Sequence, residues 1–388
     1  MLEHRKASIE LSLKPNTSVH IEQKTSKFLF GCGGFPAVEL YENGVSEERK
    51  AFLIDRLDKI FKICNYATLP FYWGRYEPVE GHPEEDNRRK AAEYFKARNV
   101  TLKGHPLCWH TVCADWLMQY DNNTILAKQL ARIERDVTHF KGLIDIWDVI
   151  NEVVIMPIFD KYDNAMTRVC KQLGRVKMIK EVFTAAYHAN PKAVFLLNDF
   201  NTTDEYAILL DGCLNAGVPI SVVGIQSHQH QGYWGLEKLN KVLERFSAFG
   251  LPIHFTENTL ISGDLMPPHI VDLNDWQVDQ WPSTPAGEER QAREVKEMYE
   301  TLFAHPLVEA ITTWDPADDA WLHAPAGLIR KDNSIKPVYT ELEKLILHDW
   351  RSNADLVTDA QGKLNLTGFK GEYTLSYQNG EKVNFTLN

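Results

Sequence analysis

A parallel (β/α)8 barrel of the TIM type, in the α/β class, with a small β-module built from the chain termini, is the fold this sequence predicts. Three observations carry it. Eight short apolar runs lie between residues 27 and 348, amphipathic stretches of helical period separate them, and both ends of the chain switch to glycine-punctuated strands. The runs are Lys27–Gly31, Ile63–Ala67, Val100–Gly104, Leu143–Ile150, Ala193–Leu197, Ser221–Ile225, Ile253–Thr256 and Ala310–Trp314. Continuous apolarity is what a parallel sheet needs when helices cover it on the outside. Eight strands close such a sheet.

Between the strands, Leu53, Leu57, Ile60 and Phe61 fall at i, i+4, i+7 and i+8, and Ile125, Leu126, Leu130, Ile133 and Val137 follow a similar period. Thr284 followed by Pro285 and an acidic run marks a helix start with proline at its first position. The charge run 83–90 reads as a solvated helix start. A doubly wound open sheet would share the alternation, but neither GxGxxG nor GxxxxGK[ST] follows the first strand, which counts against the nucleotide-binding versions. At the ends, Ala7–Leu13, Ser18–Gln23, Lys363–Leu366, Glu372–Gln378 and Lys382–Leu387 read as strands, with Asn379-Gly380 as a hairpin turn. The expected division is a barrel over 24–348 and an accessory module from 1–23 plus 349–388. Residues 261–283, rich in Pro, Asp and Trp, form a long loop after the seventh strand, on the face where barrel loops carry function.

The bulk numbers narrow the function. With 388 residues the chain accommodates a barrel of ~250 residues plus extras. Its net charge of −11 argues against nucleic acid or an anionic membrane as partner. No apolar window is long enough to cross a bilayer. Six cysteines at irregular spacing, with no CxxC pair, suggest buried thiols rather than zinc or a disulfide framework. The opening residues Met1–Lys6 are charged and no apolar stretch follows, so no signal peptide is expected.

The chemistry sits at the C-terminal ends of the expected strands. Glu152 ends the run LIDIWDVINE and Glu257 ends PIHFTE. Two carboxylates at the ends of separate strands of one barrel are the equipment for splitting a glycosidic bond, one as proton donor and one as ionised nucleophile. Around them stand groups that bind hydroxyls or stack on sugar rings: His105, Trp109 and His110 after the third strand, Asn151, Asn198, Gln226 and His228, then Trp314 and Trp321 after the eighth.

The strings WDVINE, NDFN, GIQSH, HFTEN and GHPLCWH resemble glycoside hydrolase family 10, the retaining endo-β-1,4-xylanases, and the likeness runs in order from about Phe28 to Leu345. The resemblance implies Glu152 as acid/base and Glu257 as nucleophile. It implies His105, Trp109, Asn151, Gln226, His228, Trp314 and Trp321 as grips on the sugar at the cleavage site, with Asn198 close by. It implies a β-1,4-xylan or related polysaccharide or oligosaccharide as substrate, no cofactor or metal, and a secreted or periplasmic setting. Three departures accompany it. The family's Glu-Asn-x-x-Lys cluster on the second strand, which binds the non-reducing side of the cut, is here Thr68, Leu69 and Tyr72. An Asp two residues past the nucleophile is here Thr259. The interval Trp314–Trp321 is one residue short. The chemistry reads as kept and the specificity as altered.

Other readings stand beside these. Glu152 and Glu257 are also explicable as rim residues paired to bases, and His110 as a rim histidine. His228 and His230 form an HxH that a metal-dependent barrel hydrolase would use, though the first strand offers no histidine. Tyr72, Trp73, Trp276 and Trp281 suit packing at least as well as sugar stacking. A non-catalytic carbohydrate-binding barrel is the principal rival, and for the terminal module structural support is a better reading than glycan binding.

Overall fold

The computed structural model describes residues 2–388; Met1, within the expected terminal module, lies outside the described residues. Strands β1 (Lys6–Ser12) and β2 (Ser18–Ser26) come first. The barrel strands follow: β3 (Leu29–Gly33), β4 (Tyr66–Pro70), β5 (Thr101–His105), β6 (Ile146–Asn151), β7 (Val194–Asp199), β8 (Val222–Gln229), β9 (Ile253–Leu260) and β10 (Val308–Thr313). The chain ends in β11 (Asn353–Val357), β12 (Lys363–Phe369), β13 (Gly371–Tyr377) and β14 (Lys382–Leu387). The eight middle strands pair in parallel, each with its sequence neighbours, and β10 closes the ring on β3.

All eight expected barrel strands are present, with shifted edges. The run Ile63–Ala67 splits: Ile63 ends the helix Glu47–Ile63, and β4 begins only at Tyr66. A buried helix end and a buried strand are both apolar, so one run hides the boundary between them. β8 and β9 extend past the apolar runs through polar residues, because their ends line the mouth of the barrel. The helix caps follow the local chemistry. The Ser46 side chain accepts from Arg49 N–H, Asp121 from Asn123 and Thr124, and Thr284 from Gly287 with Pro285 at the first position.

Both ends of the chain meet, as two packed sheets rather than one. β1 pairs with β12 in a two-stranded sheet, and β11-β2-β13-β14 form a four-stranded one. Val19, Ile21, Leu364, Leu366, Tyr373 and Leu375 fill the space between, with Ile9 and Leu11 packed on them. β11 escapes the sequence reading because its residues alternate between exposed and half-buried on an edge of the sheet. The Arg5 guanidinium ties this module to the barrel, donating to the carbonyls of Phe303, His305 and Val308 at 2.8, 2.7 and 2.6 Å. Val308 opens β10, so the module sits beneath the N-terminal end of the barrel, opposite the strand ends that carry Glu152 and Glu257. Tyr373 and Tyr377 are buried in the module and Phe369 against Phe303 of the barrel, so they offer no platform for a glycan.

Candidate active site

Two local irregularities aim the carboxylates. β6 ends at Asn151, and Glu152 adopts a left-handed backbone with φ of 55°, which costs a non-glycine residue about 1–2 kcal/mol. Its N–H donates to the Asn198 carbonyl at 2.9 Å, which holds the turn. In β9 the register against β8 skips a residue, Ile225 pairing with Phe255 and Gln226 with Glu257. That bulge lets the consecutive side chains of Thr256 and Glu257 both reach Asn198, which strict alternation forbids.

Three amides join the two acids. Asn198 Nδ2 donates to Glu257 Oε1 and to Asn151 Oδ1, both at 2.8 Å. Gln226 Nε2 donates to Asn151 Oδ1 at 3.0 Å and to Glu152 Oε1 at 3.2 Å. Asn151 Nδ2 faces the same Glu152 oxygen at 3.2 Å, and Trp109 Nε1 donates to Oε2 at 2.8 Å. Gly224 makes room for this cluster: a Cβ there would lie 2.6 Å from Asn198 Oδ1.

Electrostatics separate the pair. Burial and then the charge of Glu257 push the Glu152 carboxyl up to about 8, against the pull of its hydrogen bonds from Trp109 and Gln226. For Glu257 burial also acts upward, but His105, His228 and Lys103 outweigh it and hold the carboxyl below its ordinary value. His228 Nε2 lies 3.2 Å from Glu257 Oε2, and His105 Nδ1 lies 3.9 Å from Oε1. At neutral pH one carboxyl keeps its proton and its neighbour does not.

Beneath them is a buried ion group absent from the sequence reading. Lys103 Nζ and His105 Nδ1 each lie 2.7 Å from Asp148 Oδ2, and all three side chains are sealed from solvent. A lysine in the middle of β5 and an aspartate in the middle of β6 were the available signal, since isolated charges inside apolar strands are buried only when paired. Asp148 thereby fixes the ring that faces Glu257.

The walls are aromatic. Trp314 packs edge-on against His105 at 5.2 Å, and Trp321 lies 4.6 Å from His228 despite the short interval between the two tryptophans. Thr259 occupies the aspartate position and its hydroxyl sits 3.2 Å from His228 Nδ1 and 3.4 Å from His230 Nδ1. His230 is enclosed by Trp281 and Trp321, and burial pulls its imidazole down to about 3, so it stays neutral. All ten expected site residues therefore line one cleft. His110 is a buried histidine packed on Phe159, and Trp73 is structural, donating to Glu77. Trp276 and Trp281 belong to a small core between the long loop and the segment after β10. Of the three residues in the first departure, Thr68 and Leu69 are fully buried in β4. Tyr72 belongs to the site: half-buried, its ring is 5.7 Å from His105 and 5.6 Å from Trp109. After burial, the charge of Glu257 does most to hold its phenol protonated.

Comparison with known proteins agrees with this geometry. The pattern of Glycosyl hydrolase family 10 matches residues 71–344. An endo-1,4-beta-xylanase of Geobacillus stearothermophilus is 26% identical over 268 residues, covering 64% of this chain and 76% of that protein. The anti-sigma-I factor RsgI6 of Acetivibrio thermocellus is 24% identical over 392 residues, covering 98% of this chain but 45% of that protein. The chain thus spans less than half the length of that relative. Among solved structures, xylanase 10B from Thermotoga maritima superposes with a TM-score of 0.64 over 83% of this chain and 96% of its own, at 20% identity, a likeness of fold. With most of its length matched and both carboxylates set in one cleft, the chain belongs to glycosyl hydrolase family 10.

Proposed function

We propose that the protein is a retaining β-glycosidase acting on β-1,4-xylan or a related β-glycan, with Glu257 as nucleophile and Glu152 as acid/base. The observation that carries this reading is the opposed displacement of two carboxyls held in one amide cluster. In the first step an oxygen of ionised Glu257 attacks the anomeric carbon, the glycosidic bond breaks, and the proton of Glu152 passes to the leaving oxygen. The ester at Glu257 carries no charge. The like-charge contribution to Glu152 then disappears and its affinity for a proton falls. In the second step ionised Glu152 takes a proton from water, whose oxygen attacks the anomeric carbon and releases Glu257. On this reading Asn151 would hydrogen-bond the hydroxyl next to the anomeric carbon, with Asn198 close by, and Trp109, Trp314 and Trp321 would supply apolar faces.

The test is NMR of the first product formed from an aryl β-xylobioside. Net retention at the anomeric carbon is expected, and inversion would remove the double displacement. A second reading, a barrel that binds a glycan without cutting it, is favoured by the match to RsgI6, a protein named as a regulator, over 98% of this chain. The intact separation of the two acids favours catalysis. Binding of xylo-oligosaccharides without any product would decide for the second reading.

A further inference from the structure

The two catalytic strands, β6 and β9, are three apart around the ring, with β7 and β8 between them. A contact between the loops that follow them spans the ends of β7 and β8. Such a contact exists: Lys161, nine residues past Glu152, places Nζ 2.7 Å from Asp272 and 2.6 Å from Asp275, both in the loop after β9.

The path of residues 261–283 shows how the crossing is made. Met266 N–H donates to the His230 carbonyl at 2.9 Å, and Gln231 Nε2 donates to the carbonyls of Pro267 and Ile270 at 2.9 and 2.7 Å. The loop thus lies over the end of β8 before it reaches Lys161. It returns through Trp281, which packs on His230 at 5.8 Å and donates to the Asp264 carbonyl at 2.8 Å. Ile261, Met266 and Trp281 of the loop share a small core with Ala324 and Ala326 from the segment after β10, which makes it a structured strap. Lys161 is anchored on the far wall by its neighbour Phe159, whose ring packs against His110 at 4.6 Å.

The grips on the sugar being cleaved, Tyr72, His105, Trp109 and Trp314, follow β4, β5 and β10. With the aromatic grips on that side, the glycosidase reading leaves the side over the ends of β7 and β8, where the strap runs, to the leaving group. Building on the glycosidase reading above, we infer that the strap held by Lys161 closes the leaving-group end of the cleft and restricts the protein to short leaving groups. Oligosaccharides and chain ends fit; the interior of a polymer does not. The latch is partly exposed, at 39% for Lys161 and 34% and 62% for its partners, so it is weak enough to open.

The experiment compares wild type with Lys161→Glu, which sets a third carboxylate against Asp272 and Asp275. Two substrates are used: soluble β-1,4-xylan, followed by viscosity and reducing ends, and an aryl β-xylobioside with a small leaving group. Wild type should release reducing ends from xylan with little fall in viscosity. Lys161→Glu should raise kcat/KM on xylan about five-fold, the factor that ~1 kcal/mol of exposed ion pairing converts to, and leave the aryl substrate within two-fold. The double variant Asp272→Asn with Asp275→Asn should do the same from the other side, and it serves if Lys161→Glu folds poorly. A steep viscosity fall in wild type, or an unchanged ratio between substrates in both variants, overturns the strap while leaving the glycosidase reading intact. Failure of wild type on the aryl substrate overturns both.

Discussion

Glu152→Gln should make the protein more stable above about pH 4.5, by an amount that grows up to pH 8. The Glu152 carboxyl ionises near 4.5 in an unfolded chain and at about 8 in the folded one. Below pH 4 both states hold the proton and the residue contributes nothing. As pH rises past 4.5 the unfolded state releases its proton while the folded state keeps it, so stability falls until pH 8 and is level above. At 1.36 kcal/mol per pKa unit the full fall is ~5 kcal/mol. Glu152 is partly open to the cleft, and screening leaves about half of that. Glutamine accepts from Trp109 as glutamate does but carries no proton to lose. For a chain of this length the unfolding entropy is ~0.8 kcal/mol/K, so the variant should gain ~3 °C at pH 8 and nothing at pH 4. Asp199 and Asp315, raised by burial to about 6 and about 8, lower stability over overlapping ranges in both proteins, so most of their effect cancels in the difference. Thermal and urea unfolding at pH 4, 6 and 8 measure it. A gap of equal size at pH 4 and pH 8 would refute the burial argument.

Three further predictions test the remaining parts of the site. Glu257→Ala should lower turnover by at least ~10³-fold while xylo-oligosaccharide binding, read by tryptophan fluorescence, persists; turnover at the wild-type rate would reassign the nucleophile. Lys103→Met leaves Asp148 buried without its lysine and should cost ~3–5 kcal/mol in urea unfolding, and a loss under 1 kcal/mol would show that the pair carries no weight. Among the described residues no protein group hydrogen-bonds the Tyr72 hydroxyl, so Tyr72→Phe should leave stability within ~0.5 kcal/mol. If that hydroxyl meets the sugar, kcat/KM drops about ten-fold, the worth of one hydrogen bond; an unaltered kcat/KM would place the phenol away from substrate.

Most of this site was legible in the sequence because its residues stand at strand ends. There an apolar run stops abruptly at a polar string such as Asn151-Glu152 or Gln226-Ser227-His228, and the barrel collects those ends on one face. What stayed hidden has two physical causes. Lys103 and Asp148 lie within runs, where each charge reads as noise until the fold shows that they touch. Tyr72 and Trp73 are neighbours with the same composition signal, yet one borders Trp109 and the other packs beneath, donating to Glu77. Orientation after a strand end is set by the turn that follows, and nothing in the residue types reports it. β11 shows the complementary case, an edge strand too polar to be seen until β2 supplies its partner.

The orientation of each amide in the cluster follows from ionised Glu257, whose carboxylate can only accept. Asn198 must turn its Nδ2 to Glu257, which also gives Asn151 Oδ1 a donor and leaves Asn198 Oδ1 to accept from the Thr256 hydroxyl. Asn151 Oδ1, taken by Asn198 and Gln226, must then turn its Nδ2 to Glu152. Every N–H that reaches Glu152 therefore favours its ionised form, including that of Trp109. The donors needed to hold the carboxylate in the second step are already in place in the first. Burial, the charge of Glu257 and, less, that of Asp199 keep the proton on, and attack on the sugar removes the second of these. The exchange of roles between acid and base thus requires no movement of the protein, and the bulge that brings Thr256 and Glu257 together onto Asn198 is what makes it possible.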